Sequence, residues 1–291
     1  MAKHFFFKFM KKNKGFTSYA KGKESLRSIV PLSIYFGEWT IRDRRVKGNE
    51  VRDHGEPLSK ASLEQIDNFF AVEKSTDDTY FWIFLPSEVY LLEPDNRRII
   101  DGPDDLIDER GSKPKTLNSR IVQQFEKSEL PEVFANINAN RKYNRKTIIP
   151  LIEQELKVAE HLVHNPGKKM IIDHSERFQY MSPLQFETMV FLIFVTNNIY
   201  CSTWRGGTQE KYDMRVDLEK PFPPFLKGTS YIQIKRKNLD RSNVDDCFLV
   251  HTGQSDFDKK EIGADWLKNK IKESTYLNNW LEKSLAFFRI E

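Results

Sequence analysis

The sequence predicts a mixed α/β protein, with an α+β domain in the N-terminal half and an α/β core, a mixed sheet flanked by helices, in the C-terminal half. Alternating apolar and polar residues, typical of strands, occur in both halves, and segments with apolar residues at helical spacing separate them. The chain of 291 residues also exceeds the roughly 100–150 residues of a common domain. We therefore expect a basic arm over residues 1–30, an α+β domain over 31–145 and a second domain over 146–291.

Composition and sequence patterns exclude several classes of protein. Hydrophobic residues make up 39% and charged residues 30% of the chain, values typical of a soluble protein. The longest apolar stretch, Met189–Val195, is much shorter than the roughly 20 residues of a membrane-spanning helix. Cys201 and Cys247 belong to no Cys/His cluster, so neither a disulfide framework nor a structural zinc site is indicated. No secretion signal is visible, and we expect a cytoplasmic protein without a membrane partner.

Basic residues are clustered although the net charge is only +4. The first 27 residues contain seven lysines and Arg27 against a single acid, Glu24. Such clusters neutralise phosphates, and binding through them falls steeply with salt. A solvated basic face without a partner is an equally good interpretation of each cluster alone. The candidate DNA-binding residues are Arg141, Lys142, Arg145, Lys146, Arg205, Arg236 and Lys237.

The N-terminal half shows strand and helix patterns but no catalytic motif. Gly15 and Gly22 interrupt any long helix in the basic arm. The aromatic residues beyond the arm are more typical of a core than of a base-stacking surface, and DNA reading is the natural hypothesis for this half. The patterns predict strands over 29–36 and 38–42, a helix over 62–70, a hairpin of 80–85 with 89–92, and a loop over 101–114.

A helix is predicted over Ile148–His164, where apolar residues recur at helical spacing until Asn165-Pro-Gly167 ends the pattern. This helix would connect the two halves. His161 and His164 lie three residues apart on it and could share a metal ion. Zinc sites usually have three or four ligands, and no third ligand is near in sequence, so surface histidines are the favoured interpretation.

The most informative part of the chain begins with another helix. Ser182-Pro183 pairs an N-cap residue with a proline at the first helical position, and the helix runs to about Thr196. Glu187 is a carboxylate in this otherwise apolar helix, so it must be paired, coordinate a cation or lie at the solvent edge. A favourable interaction with the helix dipole is the alternative explanation of Glu187.

Three strands are predicted after this helix. Alternation places Asp213 and Asp217 on one face of the second strand, and Gln233 and Lys235 on one face of the third. If the two strands are neighbours, an acid, an amide and an ammonium group meet near Glu187. The three strands span residues 199–204, 212–218 and 231–236.

This set of side chains suits metal-assisted hydrolysis of a phosphodiester. A carboxylate and an amide oxygen can hold a hard divalent cation, and Mg²⁺ prefers oxygen ligands while keeping several waters. The cation polarises the scissile phosphate and lowers the pKa of a bound water. Lys235 can then orient the attacking water and offset charge on the pentavalent transition state.

Four short motifs in chain order carry a family resemblance. Phe186-Glu187, Trp204–Gly207, Tyr212-Asp213 and Ile232–Lys235 resemble motifs of the PD-(D/E)xK nucleases, in particular the Mrr-like branch with a Gln-x-Lys motif. The resemblance covers about residues 180–255 and depends on the ordered set, because Gln-x-Lys alone is common.

The resemblance implies a fold and a role for each site residue. The fold would be a restriction-endonuclease-like α/β/α core, with a nuclease domain over residues 146–291. Asp213 and Gln233 would bind Mg²⁺, Lys235 would be the catalytic lysine, and Glu187 would be an auxiliary acid acting directly or through water.

The sequence departs from this family pattern in several places. The turn before the metal-binding aspartate differs from the family's glycine-rich run, so Asp217 is the alternative ligand. The insertion Pro221–Phe225 lengthens the hairpin between the two strands that carry the site. Only about ten residues separate Lys237 from the next predicted strand, Cys247–Val250, which leaves little room for a crossover helix. A closing helix is predicted over 263–288.

The residues and the resemblance together predict a Mg²⁺-dependent, restriction-type endonuclease acting on double-stranded DNA. Cutting at symmetric sites would employ a homodimer, since protein symmetry mirrors site symmetry, and a cognate DNA methyltransferase would be encoded nearby. Two alternatives stay open. One is a defence or repair effector nuclease with relaxed sequence choice. The other is a non-catalytic nucleic-acid-binding protein in which Glu187 and Asp213 are structural acids.

Overall fold

The fold is given by a computed structural model that describes residues 2–8, 29–34, 52–53, 56–57, 60–102, 114–139, 143, 147–204, 212–218, 228–236 and 247–291. Contacts between Cα atoms divide the chain into two compact units. The N-terminal unit is Met1–Leu130 with Ala135–Pro166, and the C-terminal unit is Pro131–Phe134 with Gly167–Glu291. Sheets flanked by helices make the chain a mixed α/β protein, which confirms the predicted α/β class.

Strands and helices are numbered in chain order. The strands are β1 (Lys3–Phe7), β2 (Ile29–Ile34), β3 (Arg52–Asp53), β4 (Glu56–Pro57), β5 (Thr79–Phe84), β6 (Glu88–Asp101), β7 (Lys115–Glu126), β8 (Ile148–Pro150), β9 (Met170–Ile172), β10 (Tyr200–Trp204), β11 (Met214–Leu218), β12 (Gly228–Lys235), β13 (Phe248–His251), β14 (Glu261–Ile262) and β15 (Phe288–Ile290). The helices are α1 (Lys60–Lys74), α2 (Glu132–Ala135), α3 (Glu153–His164), α4 (Pro183–Thr196), α5 (Ala264–Lys272) and α6 (Thr275–Ser284).

A six-stranded sheet in the order β2-β7-β6-β5-β1-β8 forms the N-terminal unit. Strand β1 pairs parallel with β5 and antiparallel with β8. The expectation of a basic arm is therefore corrected for residues 3–7, which form an inner strand with Phe5, Phe6 and Phe7 buried. Consecutive apolar side chains are typical of a strand that is covered on both faces. Residues 9–28 of the predicted arm lie outside the described residues.

Helix α1 packs its apolar side on this sheet. Phe69 and Val72 of α1 are buried in one cluster with Phe81 of β5 and Leu92 of β6. Strands β5 and β6 are antiparallel neighbours, which confirms the predicted hairpin, and α1 confirms the helix predicted over 62–70. The strand predicted over 29–36 is present as β2, whereas the strand predicted over 38–42 lies outside the described residues.

The helix predicted from residue 148 begins later than expected. Ile148–Pro150 is strand β8, which pairs with β1, and α3 starts at Glu153. The prediction was wrong for the first residues because their buried isoleucines belong to a sheet edge that the local pattern does not reveal. The division of the chain keeps residues 146–166 in the N-terminal unit, whereas the predicted boundary placed them in the second domain.

A five-stranded sheet in the order β10-β11-β12-β13-β14 forms the C-terminal unit. The first three strands are antiparallel neighbours, and β12, β13 and β14 run parallel. Helix α4 begins as predicted, because Ser182 Oγ accepts a hydrogen bond from the Gln185 N–H at 3.0 Å and Pro183 follows the cap. Helix α4 packs against β10 and β12.

The predicted closing helix is two helices, α5 and α6. Ser274 separates them and caps α6 by accepting a hydrogen bond from the Leu277 N–H at 3.3 Å. Strand β15 then pairs parallel with β9 in a small second sheet. No helix in the described parts of the chain is long and apolar enough to cross a membrane.

Candidate active site

Asp213 lies immediately before β11 and its carboxylate is fixed to the neighbouring strand. The Asp213 N–H donates to the Ile232 carbonyl at 2.9 Å, and Oδ2 accepts from the Ile234 N–H at 2.6 Å. The side chain thus replaces a backbone acceptor at the end of the β11–β12 ladder. It is 7% exposed, so its position is set by the sheet and not by solvent.

Lys235, the last residue of β12, faces this carboxylate. Its Nζ lies 3.5 Å from Asp213 Oδ2, and 37% of its side chain is exposed. The ammonium group is therefore tethered to a buried acid at one side and open to solvent at the other. A charged group in such a position can contact a ligand without losing its partner.

Glu187 projects from the second turn of α4 towards the same two side chains. The pKa of Glu187 is raised to about 7, first by burial of its carboxyl group and second by the negative charge of Asp213, while Lys235 acts in the opposite direction. Two carboxyl groups and one ammonium group therefore share a small volume. The pKa of Glu187 therefore lies near neutral pH.

Gln233 accompanies this group on β12. Met214 pairs with Ile232, so the register places Gln233 opposite Asp213 and two residues before Lys235. The Gln233 side chain is half-buried, and it makes no hydrogen bond within the described part of the chain. Of the four predicted site residues, the structure brings Glu187, Asp213 and Lys235 together and sets Gln233 beside them in register.

Asp217, the alternative metal ligand, lies at the far end of β11. Its Oδ1 accepts a hydrogen bond from Thr229 Oγ1 at 2.8 Å and lies 3.5 Å from Arg215 Nη2. The hydrogen bond from Thr229 is the main cause that lowers the pKa of Asp217. Four residues of strand separate the two aspartates by roughly 13 Å, so Asp217 is remote from Glu187 and Lys235.

The donor atoms of the site fit a hard divalent cation. Glu187 and Asp213 offer carboxylate oxygens and Gln233 an amide oxygen, and one lysine opposes two acids. Burial and, second to it, the charge of Asp213 raise the pKa of Glu187, and a bound cation would favour the ionised carboxylate again. Among the residues that the structure describes, no three His, Cys, Asp or Glu side chains gather at one metal position. A metal here would keep several waters, as Mg²⁺ does.

Most of the predicted DNA-binding residues lie outside the described residues: Arg141, Lys142, Arg145, Lys146, Arg205 and Lys237. Arg236 is described and half-buried, and its Nη1 donates to the Met181 carbonyl at 2.6 Å. This bond joins the end of β12 to the start of α4. The structure therefore gives Arg236 a role in holding together the two elements that carry the site.

The sequence did not indicate a role for His251. It ends β13, and the parallel register pairs it with Lys235 on β12. It is buried, and its Nδ1 accepts a hydrogen bond from the Gly253 N–H at 3.0 Å. Its only sequence signal was its place directly after the predicted strand Cys247–Val250.

Comparison with known proteins identifies no relative. No family model matches the chain, and no curated protein or solved structure matches it either. The resemblance of residues 180–255 to PD-(D/E)xK nucleases thus depends on the ordered motif residues alone.

Proposed function

We propose that the protein is a Mg²⁺-dependent endonuclease of the PD-(D/E)xK type that hydrolyses phosphodiester bonds of double-stranded DNA. The observation that carries the proposal is the convergence of Glu187, Asp213 and Lys235, with the Asp213 carboxylate 3.5 Å from the Lys235 ammonium group. Gln233 completes the oxygen donors that such a metal site needs.

The order of elements in the C-terminal unit supports this proposal. A helix that carries a glutamate precedes three antiparallel strands, and the second and third of these carry the aspartate and the Gln-x-Lys pair. A fourth strand then runs parallel to the third. We interpret this arrangement as a restriction-endonuclease-like core.

Each residue has a distinct part in the proposed reaction. When bound, the cation polarises the scissile phosphate and acidifies a water. The Ile234 N–H holds Asp213 in one orientation, which preorganises the carboxylate for its ligand. The exposed ammonium group of Lys235 orients the attacking water and offsets the charge that develops on the phosphate. Glu187, with a pKa of about 7, can take up a proton at its carboxyl group at neutral pH.

The biological setting belongs to the same proposal. A restriction-type enzyme would work in the cytoplasm as a homodimer, beside a cognate DNA methyltransferase. The N-terminal unit, which contributes none of the proposed catalytic residues, would read the DNA.

Incubation of supercoiled plasmid with the protein tests the proposal. We expect Mg²⁺ to produce nicked or linear DNA and EDTA to prevent it. Lys235→Ala should reduce cleavage by about 100-fold or more while DNA binding persists, because the lysine acts on the transition state. Lys270→Ala is the matched control, since it removes a half-buried lysine of α5 that is paired with Glu273 and should leave cleavage unchanged.

The results also separate the alternatives. Discrete bands indicate a sequence-specific enzyme, and a smear indicates an effector nuclease with relaxed choice. If neither methylated nor unmodified plasmid were cleaved, this result would contradict the nuclease proposal. A change of stability without any change of turnover in the double variant Asp213→Ala, Lys235→Ala would favour a non-catalytic binding protein.

A further inference from the structure

Four basic residues of the C-terminal unit, His174, Arg177, Lys268 and Lys272, form a group that we call the basic cluster. The first two lie between β9 and α4, and the two lysines lie one helical turn apart on α5. The charge of Arg177 is the main cause that lowers the pKa of His174, followed by burial and then by the charges of the two lysines. The segment before α4 and the helix α5 therefore bring their positive charges to one place.

Arg177 is the buried member of the basic cluster, and it has no acidic partner among the described residues. It is 7% exposed, and its guanidinium carbon lies 5.0 Å from the centre of the Phe178 ring. Nη1 donates to His174 Nε2 at 3.0 Å, whereas Nε and Nη2 are buried and bond to no described residue. A buried cation without an acid beside it opposes folding, and an anion held nearby would reduce that cost.

The contact with Arg177 fixes the tautomer of His174. A guanidinium group can only donate hydrogen bonds, so Nε2 of His174 accepts and the proton of the neutral ring lies on Nδ1. The lowered pKa keeps the ring neutral at pH 7. His174 is exposed, and its Nδ1 makes no hydrogen bond to a described residue. The basic cluster thus offers an oriented N–H donor at the surface, beside two ammonium groups.

Nearby acids do not neutralise this charge. Asp173 is the one carboxylate of the described residues whose charge acts on the histidine, and its Oδ1 already accepts from the Ser175 N–H at 2.6 Å. Neither Lys268 nor Lys272 forms an ion pair with a described residue. Three permanent positive charges therefore stand against a single acid. Such an excess suits an anionic ligand with oxygen acceptors, and a phosphate group is one.

The basic cluster lies close to the elements that carry the candidate active site. One turn of 3-10 helix leads from Arg177 to Met181, which is about 8 Å at roughly 2 Å per residue. The Met181 carbonyl accepts from Arg236, the residue after Lys235, and α4 with Glu187 begins two residues later. This separation is smaller than the width of the major groove of DNA, about 12 Å.

We propose that the basic cluster binds the phosphate backbone of DNA beside the candidate active site. Lys268 and Lys272 neutralise phosphate charge, and His174 Nδ1–H donates to a phosphate oxygen. Arg177 is a positioning residue, because it holds the histidine without touching the DNA. The three contacting side chains are exposed or half-buried. Phosphates lie on the outside of a duplex, so this contact requires no opening of base pairs. The inference rests on the proposed nuclease function for the identity of its ligand.

Fluorescence anisotropy with a short labelled DNA duplex in EDTA tests the proposal. The double variant Lys268→Gln, Lys272→Gln should bind about ten-fold more weakly than the unaltered protein at roughly 0.1 M salt. The slope of the logarithm of affinity against the logarithm of salt concentration should fall by about 1 to 2, because phosphate contacts are lost. Glutamine forms helices about as well as lysine, so the variant should fold.

The matched control is the double variant Lys259→Gln, Lys270→Gln. It removes the same total charge from two lysines that are paired with acids, Asp256 and Glu273. Its affinity should stay within about two-fold of the unaltered protein, and its salt slope should not change. The comparison therefore separates a local contact from a general loss of positive charge.

The imidazole NMR signal of His174 gives a direct readout, and its absence from His174→Gln identifies it. Addition of duplex should shift this signal until it saturates, in the unaltered protein and in the control variant. The Lys268→Gln, Lys272→Gln variant should show a much smaller shift at the same duplex concentration. Inorganic phosphate should move the same signal at higher concentration, because the ligand chemistry is shared.

Equal affinities and salt slopes in the two double variants would overturn the proposal, and so would a His174 signal that duplex does not move. Tighter binding of an RNA duplex through the same lysines would assign the basic cluster to RNA instead. EDTA prevents cleavage in every sample, so these outcomes do not depend on catalysis. If plasmid is cleaved with Mg²⁺ while Lys268→Gln, Lys272→Gln binds DNA normally, the basic cluster is refuted and the nuclease proposal stands. Binding through the basic cluster without any cleavage would refute the nuclease proposal alone.

Discussion

Each of the two units contains a lysine–aspartate pair, and burial is reversed between them. In the N-terminal unit the lysine is buried: the Lys115 side chain is 6% exposed and its Nζ lies 2.6 Å from Asp101, which is 47% exposed. In the C-terminal unit the acid is buried: Asp213 is 7% exposed and lies 3.5 Å from Lys235, which is 37% exposed. The first pair leaves its acid at the surface, and the second leaves its ammonium group there.

This reversal separates a structural pair from a candidate functional one. A short bond from a buried ammonium group to a carboxylate in solvent satisfies the lysine, which would otherwise be an uncompensated buried charge. At the second pair a further carboxyl group, Glu187, lies near the buried aspartate, and its pKa is raised first by burial and second by the charge of Asp213. Folding alone gains nothing from two adjacent acids. A carboxyl group with a raised pKa beside a second acid is typical of functional sites.

Removing the acid from each pair should give the largest contrast. Asp213→Asn should lower Mg²⁺-dependent cleavage by roughly 100- to 1000-fold, because the buried carboxylate would be lost as a metal ligand. Asp101→Asn is the matched control and should leave the cleavage rate within about two-fold of the original protein. Single-turnover rates on supercoiled plasmid measure the effect of each substitution. Equal losses of cleavage in the two variants would show that the two pairs do not differ in function.

Glu187→Gln should have a smaller effect that depends on pH. The pKa of Glu187 rises from 4.5 to about 7 on folding, so the protonated carboxyl supports the fold below pH 4.5 and ionisation opposes it as the pH passes through 7. The glutamine variant avoids this cost. At pH 8 we expect it to be more stable than the original protein by about 1–3 kcal/mol, a difference that disappears near pH 4.5.

Chemical denaturation at several pH values, without divalent cations, measures this difference. Adding Mg²⁺ at pH 8 should then stabilise the original protein more than the variant, because binding to the folded state adds to stability. A variant that is equally stable at every pH, or less stable at pH 8, would show that Glu187 is a satisfied structural acid.

The site was largely predictable from sequence because it depends on local alternation. Met214 and Ile232 are fully buried, as their positions in the alternating pattern require, and this places Asp213 and Lys235 where two adjacent strands can bring them together. The start of α4, with its N-cap residue Ser182, was equally predictable from the sequence. Both features come from neighbours in sequence.

Pairings between distant segments were not predictable. Strand β1 was expected to be part of a basic arm, yet it pairs with β5 and β8, which lie far along the chain. Ile148–Pro150 continued a helical pattern but completes the same sheet. The hydrogen bond from the Gly253 N–H to His251 Nδ1 arises from a loop that folds back onto β13. None of these contacts leaves a periodic signal, because the partner determines them.

Asp217→Asn should have the smallest effect and sharpens the assignment of the metal ligand. Asp217 lies on the strand that Asp213 precedes, but its carboxylate accepts a hydrogen bond from Thr229 at 2.8 Å, and four residues of strand place it roughly 13 Å from Asp213. A surface hydrogen bond of this kind contributes little, so both cleavage rate and Mg²⁺ requirement should stay within about two-fold of the original values. The measurement is a Mg²⁺ titration of plasmid cleavage with Asp217→Asn and Asp213→Asn in parallel. If Asp217→Asn were the variant that lost cleavage, the metal would lie at the Thr229 end of the hairpin, and the convergence around Lys235 would be structural.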